Sequence, residues 1–183
     1  MYEEYYGFKM KPFSKTPDPR FLYMSKGHAE ALARLQYGVE EKEFILLTGE
    51  IGSGKTTLSR ALIDSLNSSH KIVLIINPRL SPVNLLKTLA SGFGIDRPSR
   101  SRNNILEVIY NSLYNLYTEG NVPIIIIDEA QLIPSKDTFE EIRLLTNFQL
   151  DDTNLLSIVL IGQPDLRKRL EGKSYQSLRQ RIG

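Results

Sequence analysis

Four short apolar runs recur along the chain, and the segments between them carry apolar residues at helical spacing. The runs are "FILLTGE", "KIVLIIN", "VPIIIID" and "LLSIVLIG". Their length and their content of Ile, Leu and Val predict strands buried on both faces. Helices are predicted from His28 to about Glu41, Lys55 to about Leu66, Pro82 to Phe93, Asn103 to Tyr117, and through Phe139, Ile142, Leu145 and Phe148. This alternation predicts an α/β fold, a parallel sheet with helices on both faces.

The first 25 residues differ from the rest of the chain. They are rich in tyrosine and phenylalanine and contain three prolines, in "MYEEYYGFKMKPFSKTPDPRFLYMS". We expect an extended lead-in with little helix that packs over the domain. Residues 26–183 are expected to form the core, and "GIDRPSRSR" an exposed loop between two of its helices.

Composition narrows the possible functions only slightly. The 183 residues carry a formal net charge of +2 and no cysteine, which excludes disulfides and thiolate metal sites. Neither a signal peptide nor an apolar run of the ~18 residues needed for a membrane span is evident. We therefore expect a soluble, cytoplasmic segment without membrane contact. The basic stretch from Asp165 to Gly183 is either a solvated helix face or a surface facing phosphates or a partner.

The stretch "GEIGSGKTT", from Gly49 to Thr57, matches every fixed position of a phosphate-binding loop. Its glycines let backbone N–H groups approach phosphate oxygens, and the following helix directs its positive end toward the same place. In this pattern Lys55 reaches the β- and γ-phosphates and Thr56 ligates Mg²⁺. The loop lies between a predicted strand and a predicted helix, which is the context that the pattern requires.

The stretch "IIIIDEAQ" supplies an acid pair at the end of a buried strand. Asp128 can hold Mg²⁺ through water at the sheet edge where ligands of α/β proteins gather. Glu129 can orient and polarise an attacking water, which favours hydrolysis as the reaction. The alternative is that both acids only cap the following helix.

Other polar residues follow predicted strands. Asn77 ends the second strand and Gln163 follows the fourth. Each is either within reach of a γ-phosphate or of Glu129, or a turn residue bonded to its own backbone. His28 and His70 lack metal-ligand spacing and are interpreted as ordinary surface or packing histidines.

Several classes of nucleotide hydrolase do not fit the sequence. The base-reading Asn-Lys-x-Asp segment of GTP switches and the Leu-Ser-Gly-Gly-Gln signature of ABC ATPases are absent, and so is the arginine-rich lid of small-molecule kinases. "DEAQ" and "QRIG" resemble helicase motifs. However, the segment between Glu129 and Arg181 is too short for a second motor domain.

A resemblance covers almost the whole chain. The stretch "YYGFKMKPFSKTPDPRFLYMSKGHAEALARLQYGV", followed by "GEIGSGKTT", "DEAQ", "LLTNFQ", "LIGQPDLRKRL" and "LRQRI", resembles the AAA+ ATPases of the general secretion pathway protein A type, also called the ExeA type. Related AAA+ proteins include DNA-binding ATPases that select transposon targets. The resemblance implies an ATP- and Mg²⁺-dependent ATPase that forms homo-oligomeric rings or filaments when full length.

The resemblance also implies roles for individual residues. It places the nucleotide on Gly49, Gly52, Ser53, Gly54, Lys55, Thr56 and Thr57, with Pro12 and Phe13 beside the adenine. It assigns Mg²⁺ to Thr56 and Asp128, and water activation to Glu129. Asn77 resembles the residue that restrains this glutamate in the inactive state, and Gln163 falls at the first sensor position. Arg181 matches the arginine that reaches a neighbour's ATP, with Arg179 as the alternative.

Two roles remain open at this point. The resemblance favours a motor that assembles a secretion apparatus, and the alternative is a DNA-associated regulator of transposition. Domains of this type normally continue into a fifth strand and a helical lid, and the secretion members carry an inner-membrane segment. We therefore expect the chain to be C-terminally incomplete and weakly active in this form.

Overall fold

The structure is a computed structural model that describes residues 2–9, 23–151 and 153–183. Its helices are α1 Tyr2–Tyr6, α2 Lys26–Glu40, α3 Lys55–Ser65, α4 Pro82–Gly92, α5 Arg102–Thr118, α6 Lys136–Leu145, α7 Pro164–Leu170 and α8 Gln176–Arg179. Its strands are β1 Phe44–Thr48, β2 His70–Ile75, β3 Val122–Ile127, β4 Gln149–Leu150, β5 Thr153–Asn154 and β6 Ser157–Gly162. Short 3₁₀ turns cover Ala130–Leu132 and Lys173–Tyr175.

Four of the strands form one sheet in the order β1-β6-β3-β2. All three strand pairs are parallel, which confirms the α/β fold expected from the apolar runs. The carboxyl ends of all four strands therefore meet at one edge of the sheet. The central strands β3 and β6 carry the residues that follow them, Asp128 and Gln163, to that edge next to the loop after β1.

Alternate residues of the central strands pack into two separate apolar cores, one on each face of the sheet. On one face, Ile124 and Ile126 pack with helices α2 and α3. On the other face, Ile125 and Ile127 pack with helices α4, α5 and α6. Both faces of β3 are buried, which is why its sequence is an unbroken apolar run rather than an alternating one.

Three of the long helices begin at a serine cap. The hydroxyl groups of Ser25, Ser81 and Ser135 each accept a hydrogen bond from the backbone N–H three residues later. Such a cap satisfies one of the N–H groups that the first turn of a helix leaves unpaired. For α2 and α4, whose starts were predicted at His28 and Pro82, the helix begins within two residues of the predicted position.

Two expectations about local structure need correction, and one element was not predicted. The lead-in contains the helix α1, so the prediction of an extended segment is wrong for Tyr2–Tyr6. Helix α6 ends at Leu145, and Phe148 lies beyond it in a turn, where its ring packs edge-on against Tyr110. The chain turns there into the β4–β5 hairpin, which the apolar pattern did not indicate because each strand has only two residues.

The basic C-terminal stretch forms α7, α8 and a return to the sheet. On α7, Arg167 and Lys168 are exposed and lie beside Glu171 and Asp165, which agrees with a solvated helix face. After α8, Ile182 forms an isolated parallel bridge with Phe44 at the start of β1. None of the described helices is both long and apolar enough to cross a lipid bilayer.

Candidate nucleotide-binding and catalytic site

The phosphate loop leaves β1 at Gly49, whose N–H donates to the carbonyl of Gly162 at the end of β6. Gly52 and Gly54 have φ angles of 79° and 84°, in the left-handed region that favours glycine. At Gly49 the need is for space, because an added Cβ would lie 2.6 Å from the hydroxyl of Ser53. The loop therefore requires the glycines that the sequence pattern marks.

The loop ends in a helix start that suits an anion. Gly54 caps α3 without a side-chain hydrogen bond, and no acidic residue lies in the first turn. The free N–H groups and the helix dipole favour negative charge at this position. Lys55, Thr56 and Thr57 form the first turn, half-buried. The Lys55 ammonium donates to the carbonyls of Gly49 and Glu50, both at 2.8 Å, so its charge lies inside the curve of the loop.

Asp128 and Glu129 stand at the end of β3, beside this loop. Asp128 is only 5% exposed, and its carboxylate accepts from the N–H of Glu129 at 2.8 Å. Burial raises the pKa of the Asp128 carboxyl, and the hydrogen bond from Glu129 opposes that shift. The backbone of Glu129 is left-handed, with φ 52° and ψ 38°. Such conformations in non-glycine residues cost free energy and are enriched at functional sites.

Asp128 and Thr56 also fit the metal role expected of them. The Thr56 hydroxyl lies 3.5 Å from the Asp128 carboxylate, so the two oxygens come together across 72 residues of sequence. A buried carboxylate costs free energy unless a cation or hydrogen bonds compensate it. One carboxylate and one hydroxyl beside a phosphate site are a donor set that Mg²⁺ accepts, since it retains several waters.

His28 belongs to the site, although sequence reasoning interpreted it as an ordinary histidine. Its Nε2 donates to the carbonyl of Ser53 in the phosphate loop at 2.9 Å. Its Nδ1 lies 3.1 Å from the Ser25 hydroxyl and 3.2 Å from the Tyr23 carbonyl. His28 therefore connects the start of α2 to the loop. No sequence motif could have shown this, because the contact joins residues 25 positions apart.

Gln131 is the second residue that was missed. The sequence analysis assigned it no role beyond its place in the "DEAQ" motif, yet its side chain lies between the candidate residues Glu129 and Gln163. The amide nitrogen donates to the Glu129 carboxylate, and the amide oxygen accepts from the backbone N–H of Gln163. Gln163 itself is half-buried at the start of α7, and its side chain makes no capping hydrogen bond there.

The remaining candidates form their side-chain hydrogen bonds with other partners. Asn77 is exposed two residues after β2, and its side-chain oxygen accepts from the N–H of Arg79 at 3.5 Å. Arg181 is exposed and donates to Asn147 at 2.9 Å, while Arg179 donates to the carbonyl of Glu171. Pro12 and Phe13 lie outside the described residues.

Arg181 also lies at the far end of the sheet from the loop. Its neighbour Ile182 pairs with Phe44 at the beginning of β1, whereas the phosphate loop follows the end of β1. Five strand residues separate the two positions, about 16 Å at ~3.3 Å per residue. Arg181 is therefore not placed to contact phosphates on Lys55 of its own chain.

Comparison with known proteins identifies a matching family and a related protein. The family model described as "AAA domain" matches residues 39–170. The chain is 40% identical over its whole length to general secretion pathway protein A of Aeromonas hydrophila, and it covers 34% of that protein. The chain thus spans about a third of this curated relative.

Solved structures share the fold at low identity. The ORC2 protein of Aeropyrum pernix aligns with 94% of this chain and 49% of its own, at 20% identity and a TM-score of 0.66. Cdc6p of Pyrobaculum aerophilum aligns with 93% of this chain and 47% of its own, at 16% identity and a TM-score of 0.68. These two matches support the α/β fold with its parallel sheet and nothing beyond it.

Proposed function

Because the chain belongs to the AAA domain family, as an AAA+ ATPase of the general secretion pathway protein A type, we propose that it binds Mg·ATP and hydrolyses it to ADP and phosphate. The observation that carries this proposal is the joint placement of the phosphate loop, Asp128 and Glu129 at one edge of the sheet. The phosphate loop follows β1, whereas the metal ligand Asp128 and the candidate base Glu129 follow β3, and the fold brings them together.

Each part of the site has one role in the proposed reaction. The loop N–H groups and the Lys55 ammonium bind the phosphates, and Thr56 and Asp128 would hold the metal. When bound, Mg²⁺ neutralises charge that develops on the phosphate oxygens. Glu129 orients a water for attack on the γ-phosphorus and takes up its proton, while ADP leaves from the opposite side.

Asn77 and Gln163 keep their proposed roles near the γ-phosphate, and Arg181 is proposed to act on the ATP of a neighbouring subunit in a homo-oligomer. The position of Arg181 at the opposite end of β1 supports action in trans. The adenine is proposed to lie against the lead-in, at Pro12 and Phe13.

The biological role that we propose is assembly of a secretion complex on the cytoplasmic side of a membrane. Its support is the 40% identity to general secretion pathway protein A along the whole of this chain. The DNA-associated alternative was favoured by the basic C-terminal stretch and by the basic "RPSRSR" loop. One arginine of that loop, Arg102, forms a paired hydrogen bond with the buried carboxylate of Glu141, at 2.7 and 2.9 Å. That guanidinium is engaged within the fold, so the loop offers less charge to a nucleic acid.

The test is a titration of the protein with Mg·ATP, with ATP in the presence of a chelator, and with GTP. Release of phosphate is measured in parallel at increasing protein concentration. We expect saturable Mg·ATP binding, weaker binding without the metal, and phosphate release. Absence of Mg·ATP binding would overturn the proposal. Salt-sensitive binding of duplex DNA, weakening steeply between low and physiological salt, would favour the DNA-associated role.

A further inference from the structure

Both polar atoms of the Gln131 side-chain amide form hydrogen bonds. Its Nε2 donates to Oε2 of Glu129 at 2.5 Å, and its Oε1 accepts from the backbone N–H of Gln163 at 3.1 Å. A backbone N–H can only donate, so the atom that faces Gln163 is the amide oxygen. The nitrogen then faces Glu129, where a carboxylate can only accept. The two partners therefore fix the orientation of the amide without ambiguity.

These two bonds join the ends of two neighbouring strands. Glu129 follows the end of β3, and Gln163 follows β6 and immediately precedes α7. The bond from Gln131 restrains the side-chain torsions of Glu129, while the backbone N–H of Glu129 is bound separately to Asp128. Through Gln131 the direction of the Glu129 carboxylate depends on the position of the β6–α7 junction.

The glycine at position 162 leaves space for this contact. An added Cβ on Gly162 would lie 2.8 Å from the amide oxygen of Gln131 and 2.8 Å from a methyl group of Leu166. Gly162 has no left-handed backbone that would call for glycine. The close approach of Gln131 and Leu166 is therefore what the absent side chain accommodates.

We infer that Gln131 is a positioning residue that orients the Glu129 carboxylate toward the attacking water. Through Gln131, the orientation of this carboxylate depends on the position of the β6–α7 junction. This inference rests on the proposed ATPase function. In this inference, the Gln131 amide restrains the carboxylate of Glu129. Asn77, the residue expected to restrain Glu129, has its side-chain oxygen turned to the N–H of Arg79.

The kinetic test compares substitutions that keep or remove the bridge. Gln131→Ala removes both bonds, so kcat should fall at least about tenfold, part of the ~10²–10⁴ that a positioned base contributes. The dissociation constant of Mg·ATP should change less than about threefold, since the side-chain hydrogen bonds of Gln131 join it to Glu129 and Gln163 rather than to the phosphate loop. Gln131→His should retain most of the rate, because a neutral imidazole also has one donor and one acceptor.

Gln36→Ala is the matched control. Gln36 also donates one side-chain hydrogen bond, to Ser65 on α3 at 2.9 Å, but it lies on α2 and takes no part in the site. Its rate should match that of the wild type. A kcat of Gln131→Ala equal to that of Gln36→Ala, in an otherwise active protein, overturns the inference and leaves the ATPase function intact.

A second measurement tests the bridge without turnover. Hydrogen exchange at the amide of Gln163 should be faster in Gln131→Ala than in the wild type, because the N–H loses its acceptor. Unchanged exchange at Gln163 shows that the bridge does not form and overturns the inference. If the bridge forms but the wild type hydrolyses no ATP at any concentration, the proposed function fails, and the positioning role fails with it.

Discussion

At the scale of single residues, two adjacent acids differ in environment. Asp128 is buried beside Thr56, and burial raises its pKa. Glu129 is half-buried, has a left-handed backbone and is held by an amide rather than by a metal-binding partner. This contrast supports a division in which Asp128 serves the metal and Glu129 serves the water.

The first prediction separates binding from hydrolysis. Lys55→Ala should lose most of the nucleotide affinity, because a cation inside the phosphate loop is removed. Glu129→Gln should keep Mg·ATP binding and lose hydrolysis, because the amide keeps the shape but cannot take up a proton. Equilibrium binding of a fluorescent ATP analogue and phosphate release measure the two properties. Equal loss of binding in both variants would contradict the role of Glu129.

The second prediction concerns His28. His28→Leu removes the donor to the Ser53 carbonyl, and one such bond contributes about 0.5–1.5 kcal/mol. Nucleotide affinity should therefore fall roughly 2- to 10-fold. His28→Gln should restore part of it, since its amide can donate to the same carbonyl.

His70→Leu is the control for His28, because His70 opens β2 and bonds Asn67, outside the site. Its nucleotide affinity should be that of the wild type. If His28→Leu and His70→Leu bind the nucleotide equally well, His28 has no role in shaping the loop.

The sequence predicted the loop and the acid pair because each is a contiguous motif with its own chemistry. His28 and Gln131 could not be predicted in the same way. Their contacts depend on how α2 approaches the loop and how β6 lies beside β3, and single-sequence patterns do not encode either distance. The structure locates Asn77, Gln163 and Arg181 but leaves their roles as predictions.

At the scale of elements, α7 shows how one face of a charged helix can be buried. Arg167 and Lys168 are exposed, yet Arg169 points inward. Its guanidinium lies 4.9 Å from the ring centre of Phe139 and 5.6 Å from that of Tyr175. It also donates to the Ile133 carbonyl at 2.6 Å and to the Tyr175 hydroxyl at 3.1 Å.

Arg169 therefore connects three elements: α7, the segment after the acid pair, and the turn before α8. Its planar group satisfies two acceptors and lies over an aromatic ring, which a lysine cannot do with one point charge. Counting basic residues along the stretch does not distinguish this arginine from its exposed neighbours.

The third prediction follows from that arrangement. Arg169→Lys and Arg169→Ala should each lower the free energy of unfolding by about 1–3 kcal/mol, because a hydrogen bond of a charged group and a cation–π contact are lost. Arg167→Ala should change it by less than about 0.5 kcal/mol, as for an exposed ion pair. Urea unfolding followed by circular dichroism measures all three. Equal stability of the Arg167 and Arg169 variants would show that Arg169 does not join these elements.

Most elements were predictable because their apolar runs and serine caps are local signals. The exceptions have physical reasons. Phe148 continues the helical spacing of α6 but serves a contact with Tyr110 after the helix has ended. The β4–β5 hairpin is too short for periodicity to register. The aromatic residues of the lead-in indicated packing, and α1 nonetheless leaves Tyr5 83% exposed.

At the scale of the whole molecule, the two ends of β1 lie next to different candidate functional residues. The phosphate loop leaves its carboxyl end, while Arg181 is held near its amino end by the Ile182–Phe44 bridge and by Asn147. In a subunit built in this way, Arg181 does not face the phosphate loop of its own chain. Completion of the site by a neighbouring copy is the arrangement that such a geometry favours.

The last prediction is that Arg181 acts in trans. Hydrolysis should rise with protein concentration as subunits assemble, and Arg181→Ala should abolish that rise. An arginine supplied to a neighbour's phosphates contributes roughly 10³–10⁵ in rate. Arg179→Ala is the comparison, because Arg179 lies on the same segment but donates to the carbonyl of Glu171 in its own chain. It should reduce the rate far less.

Mixing two inactive variants gives the sharpest form of this test. Arg181→Ala retains an intact Glu129, and Glu129→Gln retains an intact Arg181, so a mixed interface can contain one complete site. Phosphate release should therefore return when the two variants are combined, in proportion to the mixed assemblies seen by native mass spectrometry. Mixed assemblies that form and stay as inactive as their components would show that Arg181 serves its own chain or none, and the site would then need another source of positive charge.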